Sequence, residues 1–167
     1  MIIIKIPDFS YKVKIHIEDE KEIYNKFNMN NTLSDDLVNY IQEQMELCAT
    51  LQPIEFDVIS SKKIDEDKFN TAFEQTIENQ IKIINKQKRT NIKKEILMGT
   101  IGVLFIGLSI GLSSIMENQV ILELISVIGS FSAWEAASSW LVVSRELRNK
   151  EKQLTKIDKG KITYKYM

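Results

Sequence analysis

Glu135 is the side chain best placed to do chemistry, because it interrupts an apolar run. It follows Trp134 and lies within a helical turn of Ser132, Ser138 and Ser139, inside the stretch from Val120 to Ser144. A carboxylate at membrane depth costs about 2.5–3.5 kcal/mol, so it must face water or a helix interface. Two roles fit that constraint. It could be a pore-lining or proton-responsive acid, or a carboxyl hydrogen-bonded to serines across helices. Neither this stretch nor the uncharged run from Ile96 to Met116 contains a basic residue to pair with it. Glu123 lies nearer the far end of the run and reads as solvated.

Other candidates for chemistry are sparse. His16, the one histidine, falls on the polar face of an expected strand. Cys48 is the one cysteine; it excludes an intrachain disulfide and reads as a small buried hydrophobe. A single His and a single Cys cannot supply the usual zinc ligand set. Neither G-x-x-x-x-G-K-[ST] nor G-x-G-x-x-G occurs, so no phosphate-cradling loop is expected. The acidic clusters Glu18-Asp19-Glu20, Asp35-Asp36 and Asp65-Glu66-Asp67 read as helix starts rather than acid/base pairs. No catalytic residue, metal site or cofactor is therefore assigned. The expectation is a protein that is not an enzyme, and enzymatic chemistry would require a lipid substrate or an oligomer interface.

The elements that hold these residues follow from periodicity. Ile2, Ile4 and Ile6 suggest a first strand ending at Pro7-Asp8, and Tyr11, Val13, Ile15 and Ile17 alternate with Lys12, Lys14 and His16 as a second. Glu20 to Phe27 suggests a short helix, followed by an Asn-rich loop over Asn28 to Thr32. Ser34 can cap a helix from Asp35 to Thr50 with an apolar stripe of Leu37, Tyr40, Ile41, Met45 and Cys48. A third strand runs from Ile54 to Ile59. Asp65 caps a long helix whose Phe69, Phe73, Ile77, Ile81 and Ile84 recur at helical spacing. No Pro or Gly stands between Asp65 and Ile96, so this helix continues into the next segment. Arg145 to Lys159 is helical in pattern, and Lys161 to Tyr166 alternates as a tail strand returning to the sheet.

Ile96 to Met116 carries no charge and reaches roughly 31 Å as a helix, enough for a bilayer core. Lys86, Lys88, Arg89, Lys93 and Lys94 precede it. Arg145, Arg148, Lys150 and Lys152 follow the second run, while the connection at Glu117-Asn118-Gln119 has no cation. The positive-inside rule then places both termini in the cytoplasm. The N-terminus lacks the pattern of a cleaved signal, so the first span is expected to insert itself. Lys93, Lys94, Trp140 and Arg145 fall at the headgroup boundary. Attraction to anionic headgroups accounts for the basic stretch Lys82 to Lys94 without nucleic acid. A net charge of -1 and a mean hydropathy of -0.15 average a polar half with an apolar one.

Small residues recur at four-residue spacing: Gly107 with Gly111, Gly129 with Ala133, and Ala133 with Ala137. Such positions let helix backbones approach closely in lipid. They cover more than one face, so one face serves the partner span and another a neighbouring protomer. A homo-oligomer is expected.

Ala133-Trp134 through Ile162 resembles a group of uncharacterised small bacterial membrane proteins. The matching features are Trp134, Arg145-Glu-Leu-Arg148, Leu154, Ile157 and Ile162, together with the helix start from Leu33 to Ile41. That group has a short α+β domain, two spans with a Trp in the second, and a basic helix ending in a strand. It tends to carry an acid one turn after the Trp, where this chain has Ser138. The resemblance implies architecture and no activity.

The expected fold class is α+β: a cytosolic sheet-and-helix domain of about three strands plus the tail strand, continuous with a transmembrane helical hairpin. Its parts are 1–94 as the α+β domain with its connecting helix, 95–145 as the hairpin, and 146–167 as a helix and strand packing back. The expected role is a two-span inner-membrane protein. Its partners would be the lipid bilayer, further copies of itself, and a cytosolic protein or small-molecule signal. The alternative is a pore-forming or membrane-disrupting effector with Glu135 on the path.

Overall fold

In a computed structural model, residues 10–27, 32–48, 52–116 and 118–167 are described. The chain is α+β, with a three-stranded parallel sheet and long helices. Two compact units divide it: Met1–Lys82 with Lys152–Met167, and Ile83–Glu151.

The first unit is built on the sheet. Strands β1 (Tyr11–Ile17), β2 (Ile54–Ser60) and β3 (Lys161–Tyr166) pair in that order, with Val13 opposite Phe56 and Phe56 opposite Ile162. The period-two pattern of β1 is realised directly. Val13, Ile15 and Ile17 are buried, while Lys12, Lys14 and His16 are exposed. Central β2 is buried almost throughout, as a parallel strand with neighbours on both edges should be. The expected tail strand is present as β3. The expected strand at Ile2–Ile6 lies outside the described residues.

Helix α1 (Asp35–Glu46) begins where Ser34 accepts the Leu37 N–H, with Asp35 and Asp36 in its positive first turn. It ends four residues before the expected Thr50. The short helix expected over Glu20–Phe27 is a single 3-10 turn, Glu20–Glu22, capped by Asp19. Tertiary pairing outcompetes local propensity there. Asn25 N–H reaches Thr32 O at 2.8 Å and Ser34 N–H reaches Ile23 O at 2.8 Å, so Tyr24 and Leu33 form an antiparallel bridge. That bridge buries Ile23 and Leu33.

Helix α2 (Glu66–Leu112) starts with the Asp65 carboxylate accepting the Lys68 N–H at 3.1 Å. Its first turns present Phe69 and Phe73, and the Phe73 ring meets Phe56 edge-on at 5.3 Å between centroids. Phe69 meets Tyr164 at 6.0 Å. Two phenols fasten β3 to the same helix: Tyr164 donates to Asn70 Oδ1 at 2.7 Å and Tyr166 to Glu66 Oε1 at 2.6 Å. Burial pushes the Tyr164 phenol well above its ordinary value. Gly160 leads into β3 because a Cβ there would collide with the Phe56 ring.

Asp57 is the buried carboxylate of this unit, only 3% exposed. It sits on the lysine-bearing face of the sheet, where Lys165 Nζ donates to its Oδ2 at 2.6 Å. That bond, with lesser contributions from Lys12 and Lys14, holds its pKa below the ordinary carboxylate value against the opposing effect of burial.

The second unit contains the remainder of α2, helix α3 (Gln119–Ser138), a π turn (Ser139–Val143) and the start of α4 (Ser144–Asp158). α2 and α3 run antiparallel. A Cβ on Gly102 would lie 2.8 Å from the Ala133 backbone N, and one on Gly129 would lie 2.9 Å from the Ile106 backbone N. Two glycines, one on each helix, thus set a close crossing. Both helices are long and apolar enough to cross a membrane. Their apolar side chains are largely uncovered by protein, from Val103 and Leu108 on one helix to Val127 and Phe131 on the other.

Candidate functional site

A cluster of polar side chains of the second unit lies at one end of the two helices, the end remote from the connecting turn. Asn91 and Glu95 lie four residues apart on α2 and therefore share a face. Asn91 Nδ2 donates to Glu95 Oε1 at 2.6 Å and to Ser144 Oγ at 3.1 Å. Ser144 Oγ donates to Glu95 Oε1 at 2.8 Å, and Ser139 Oγ donates to Asn91 Oδ1 at 2.9 Å. Ser139 is 6% exposed, so its hydroxyl requires such a partner. Two ion pairs flank the cluster: Lys94 with Glu135 at 2.8 Å and Lys88 with Glu151 at 2.7 Å.

The π turn makes this arrangement possible. Ser144 N–H bonds Ser139 O, an i to i+5 closure that accommodates one more residue than an α turn. Ser139 and Ser144 bracket it, and both reach Asn91. The cluster is a closed loop of hydrogen bonds between α2 and the far helix. Each hydroxyl donates to an amide or carboxylate oxygen, and no imidazole or activated nucleophile is present. Its chemistry is that of a clamp.

Glu135 is found in a different setting from the one expected. Lys94, two residues ahead of the apolar run on α2, is its partner, although no basic residue lies inside either run. The antiparallel register explains this. Ala136 lies against Gly99, so Glu135 sits beside the start of the first apolar run and away from its middle. Both side chains remain roughly half exposed.

The serines expected around Glu135 make other contacts. Ser132 is buried and its hydroxyl returns to Ile128 O at 2.9 Å, a bond within its own helix. Ser139 belongs to the Asn91 cluster, and Ser138 is half-buried. Among the small residues, Gly129 and Ala133 lie in the crossing between the two helices. Gly107 and Gly111 have nothing within 4 Å of a built Cβ and line an open apolar groove with Val103, Leu104, Leu108 and Leu112. Ala137 is exposed, and its neighbour Ala136 faces Gly99 instead. Lys93, Trp140 and Arg145 are exposed.

Sequence reasoning missed Asn91, Glu95, Ser144 and Gly102. A signal for the first two was present: an uncharged amide and an acid four residues apart within a stretch otherwise read as basic. Ser144 could not be placed, since in a regular helix it would face away from Ser139. Among the described residues no cluster of three or more His, Cys, Asp or Glu is arranged to hold a metal. Comparisons of the chain with protein-family models, curated proteins and solved structures find no match.

Proposed function

We propose that this chain is a two-span integral membrane protein with both termini in the cytoplasm. Its α+β unit binds a cytosolic partner or signal, and its helices anchor and oligomerise it. One observation carries this reading. Two adjacent helices present large apolar side chains outward with almost no protein cover, while their ion pairs and the Asn91 hydrogen-bond cluster lie at one end. In water so extensive an apolar surface would drive aggregation, whereas in hydrocarbon it is the expected exterior. The cations from Lys86 to Lys94 and from Arg145 to Lys150 belong to that same end, which the positive-inside rule assigns to the cytoplasm.

The groove at Gly107 and Gly111 supports the oligomer, because the crossing within the chain uses Gly102 and Gly129 and leaves this face open. The Lys94 contact supplies Glu135 with a partner, so the carboxylate requires no conduction path to explain it. The working role is therefore a membrane-anchored binding or signalling protein rather than an effector that opens the bilayer.

Topology is tested by Asn118→Cys in a Cys48→Ser background. Impermeant maleimide should label intact spheroplasts at that position, and the protein should stay in the membrane fraction after alkaline extraction. Extraction into the supernatant would refute the membrane assignment, while labelling only after lysis would invert the topology. For the oligomer, Gly107→Leu and Gly111→Leu should lower the mass of the detergent-solubilised protein. Ala133→Leu is unsuitable, since it also disrupts the crossing with Gly102.

A further inference from the structure

We propose that the π turn Ser139–Val143 is a two-register switch, held in its observed state by Asn91 and Glu95. Five residues of an α-helix advance about 500°, which would set Ser139 and Ser144 roughly 140° apart around the axis. One Asn91 side chain could not then meet both. The π turn absorbs one residue and brings both hydroxyls to the same amide, at 2.9 and 3.1 Å.

Every residue beyond the turn is displaced by the same amount. If the turn relaxed to a regular α-helix, each slot along α4 would be filled by the residue one earlier in sequence. Val143 would take the place of Ser144 against Glu95, and Lys150 would take the place of Glu151 against Lys88. The observed register makes a 2.7 Å ion pair at that second slot, where the alternative would oppose two ammonium groups. Two sets of preferences therefore conflict. The backbone favours the α register, since π turns are rare, while the contacts of Asn91 and Glu95 with Ser144, and of Lys88 with Glu151, favour the π register. An element under two opposed preferences has two discrete states, and the side-chain clamp selects between them. Release would rotate α4 by about 100° and shift it about 1.5 Å along its axis. α4 is the helix that leads directly to β3, so this motion is transmitted along the chain.

The proposal concerns one helix pair and does not rest on the membrane reading. Disulfide trapping tests it in the full-length chain with Cys48→Ser. Lys88→Cys is combined with either Glu151→Cys or Lys150→Cys, so that the two pairs report the π and α registers. In the otherwise unchanged chain the 88–151 pair should dominate. Adding Asn91→Ala or Glu95→Ala should raise the 88–150 yield relative to 88–151 by about tenfold, the effect of losing a hydrogen bond to a charged group. Deleting Val142 supplies the second arm. It converts the π turn to an α turn without altering the register of α4, and so leaves no alternative state. In that background the residue corresponding to Glu151 should stay paired with position 88 whether or not Asn91 is replaced. A ratio unmoved by both clamp substitutions in the full-length chain would overturn the switch. So would equal sensitivity in the Val142-deleted chain.

Discussion

Replacing Gly102 by Ala tests the crossing of the two long helices most directly. The added Cβ would stand 2.8 Å from the Ala133 backbone N and 3.0 Å from its Cα and Cβ. Non-bonded heavy atoms prefer about 3.5–4.0 Å, so the helices must separate by about 0.7–1 Å or bend. Backbone atoms are involved, and no side chain can rotate out of the way. Overpacking of this kind costs about 1–3 kcal/mol, offset by about 1 kcal/mol because Ala forms helix better than Gly. Gly107→Ala is the matched control, since nothing lies within 4 Å of its Cβ and only the propensity gain applies. Gly102→Ala should therefore be less stable than Gly107→Ala by about 1–3 kcal/mol. Denaturant titration of the detergent-solubilised protein, followed by Trp fluorescence, measures the difference. Equal stabilities, or a Gly102→Ala protein more stable than its control, would refute the close approach and with it the antiparallel register.

Lys165→Met should destabilise the α+β unit by about 1.5–3 kcal/mol, because it leaves the buried Asp57 carboxylate without its principal donor; chemical denaturation at neutral pH measures this. The lowered pKa of Asp57 also fixes a pH dependence. Its contribution is fully present above the unfolded value near 3.8 and is lost as pH falls through the lower folded value, and Asp57→Asn should flatten that acid limb in a pH series of melting temperatures. The half-exposed pair of Lys94 and Glu135 should show a coupling of no more than about 1 kcal/mol in a double-mutant cycle of Lys94→Met and Glu135→Gln. Tyr24, whose phenol is pushed up to about 12 by burial and then by Glu20 and Asp65, should be missing from the tyrosines that ionise near pH 10 in an ultraviolet titration; Tyr24→Phe should leave that early phase unchanged.

The elements of the sheet-bearing unit were legible where local pattern and final environment agree. The alternation of β1, the Ser34 and Asp65 caps and the stripe beginning at Phe69 each carry their own evidence in sequence. The 3-10 turn at Glu20 was not legible, because a pairing between Tyr24 and Leu33, nine residues apart, decides it. The parallel direction of the strands was hidden for a similar reason, since two of them are joined only through the long helices. At the candidate site, sequence drew attention to Glu135 for standing in apolar surroundings. What it could not supply was the register that brings Lys94 to it. A π turn has no local signature of its own here, and Ser139 and Ser144 become a pair only once the extra residue is absorbed.

The third strand has a consequence for how the protein is made. Lys165 and Asp57 stand 108 positions apart, and both long apolar helices are synthesised between them. Until β3 emerges, β2 has an unfilled edge and Asp57 lacks its hydrogen bond from Lys165. Such an edge attracts other strands while it waits. Closure across so long a loop makes the sheet a late event in folding, with a high contact order despite its small size. Synthesis of the long helices therefore precedes completion of the sheet. A quality-control protease acting on a chain not yet extended through β3 would find that sheet still open.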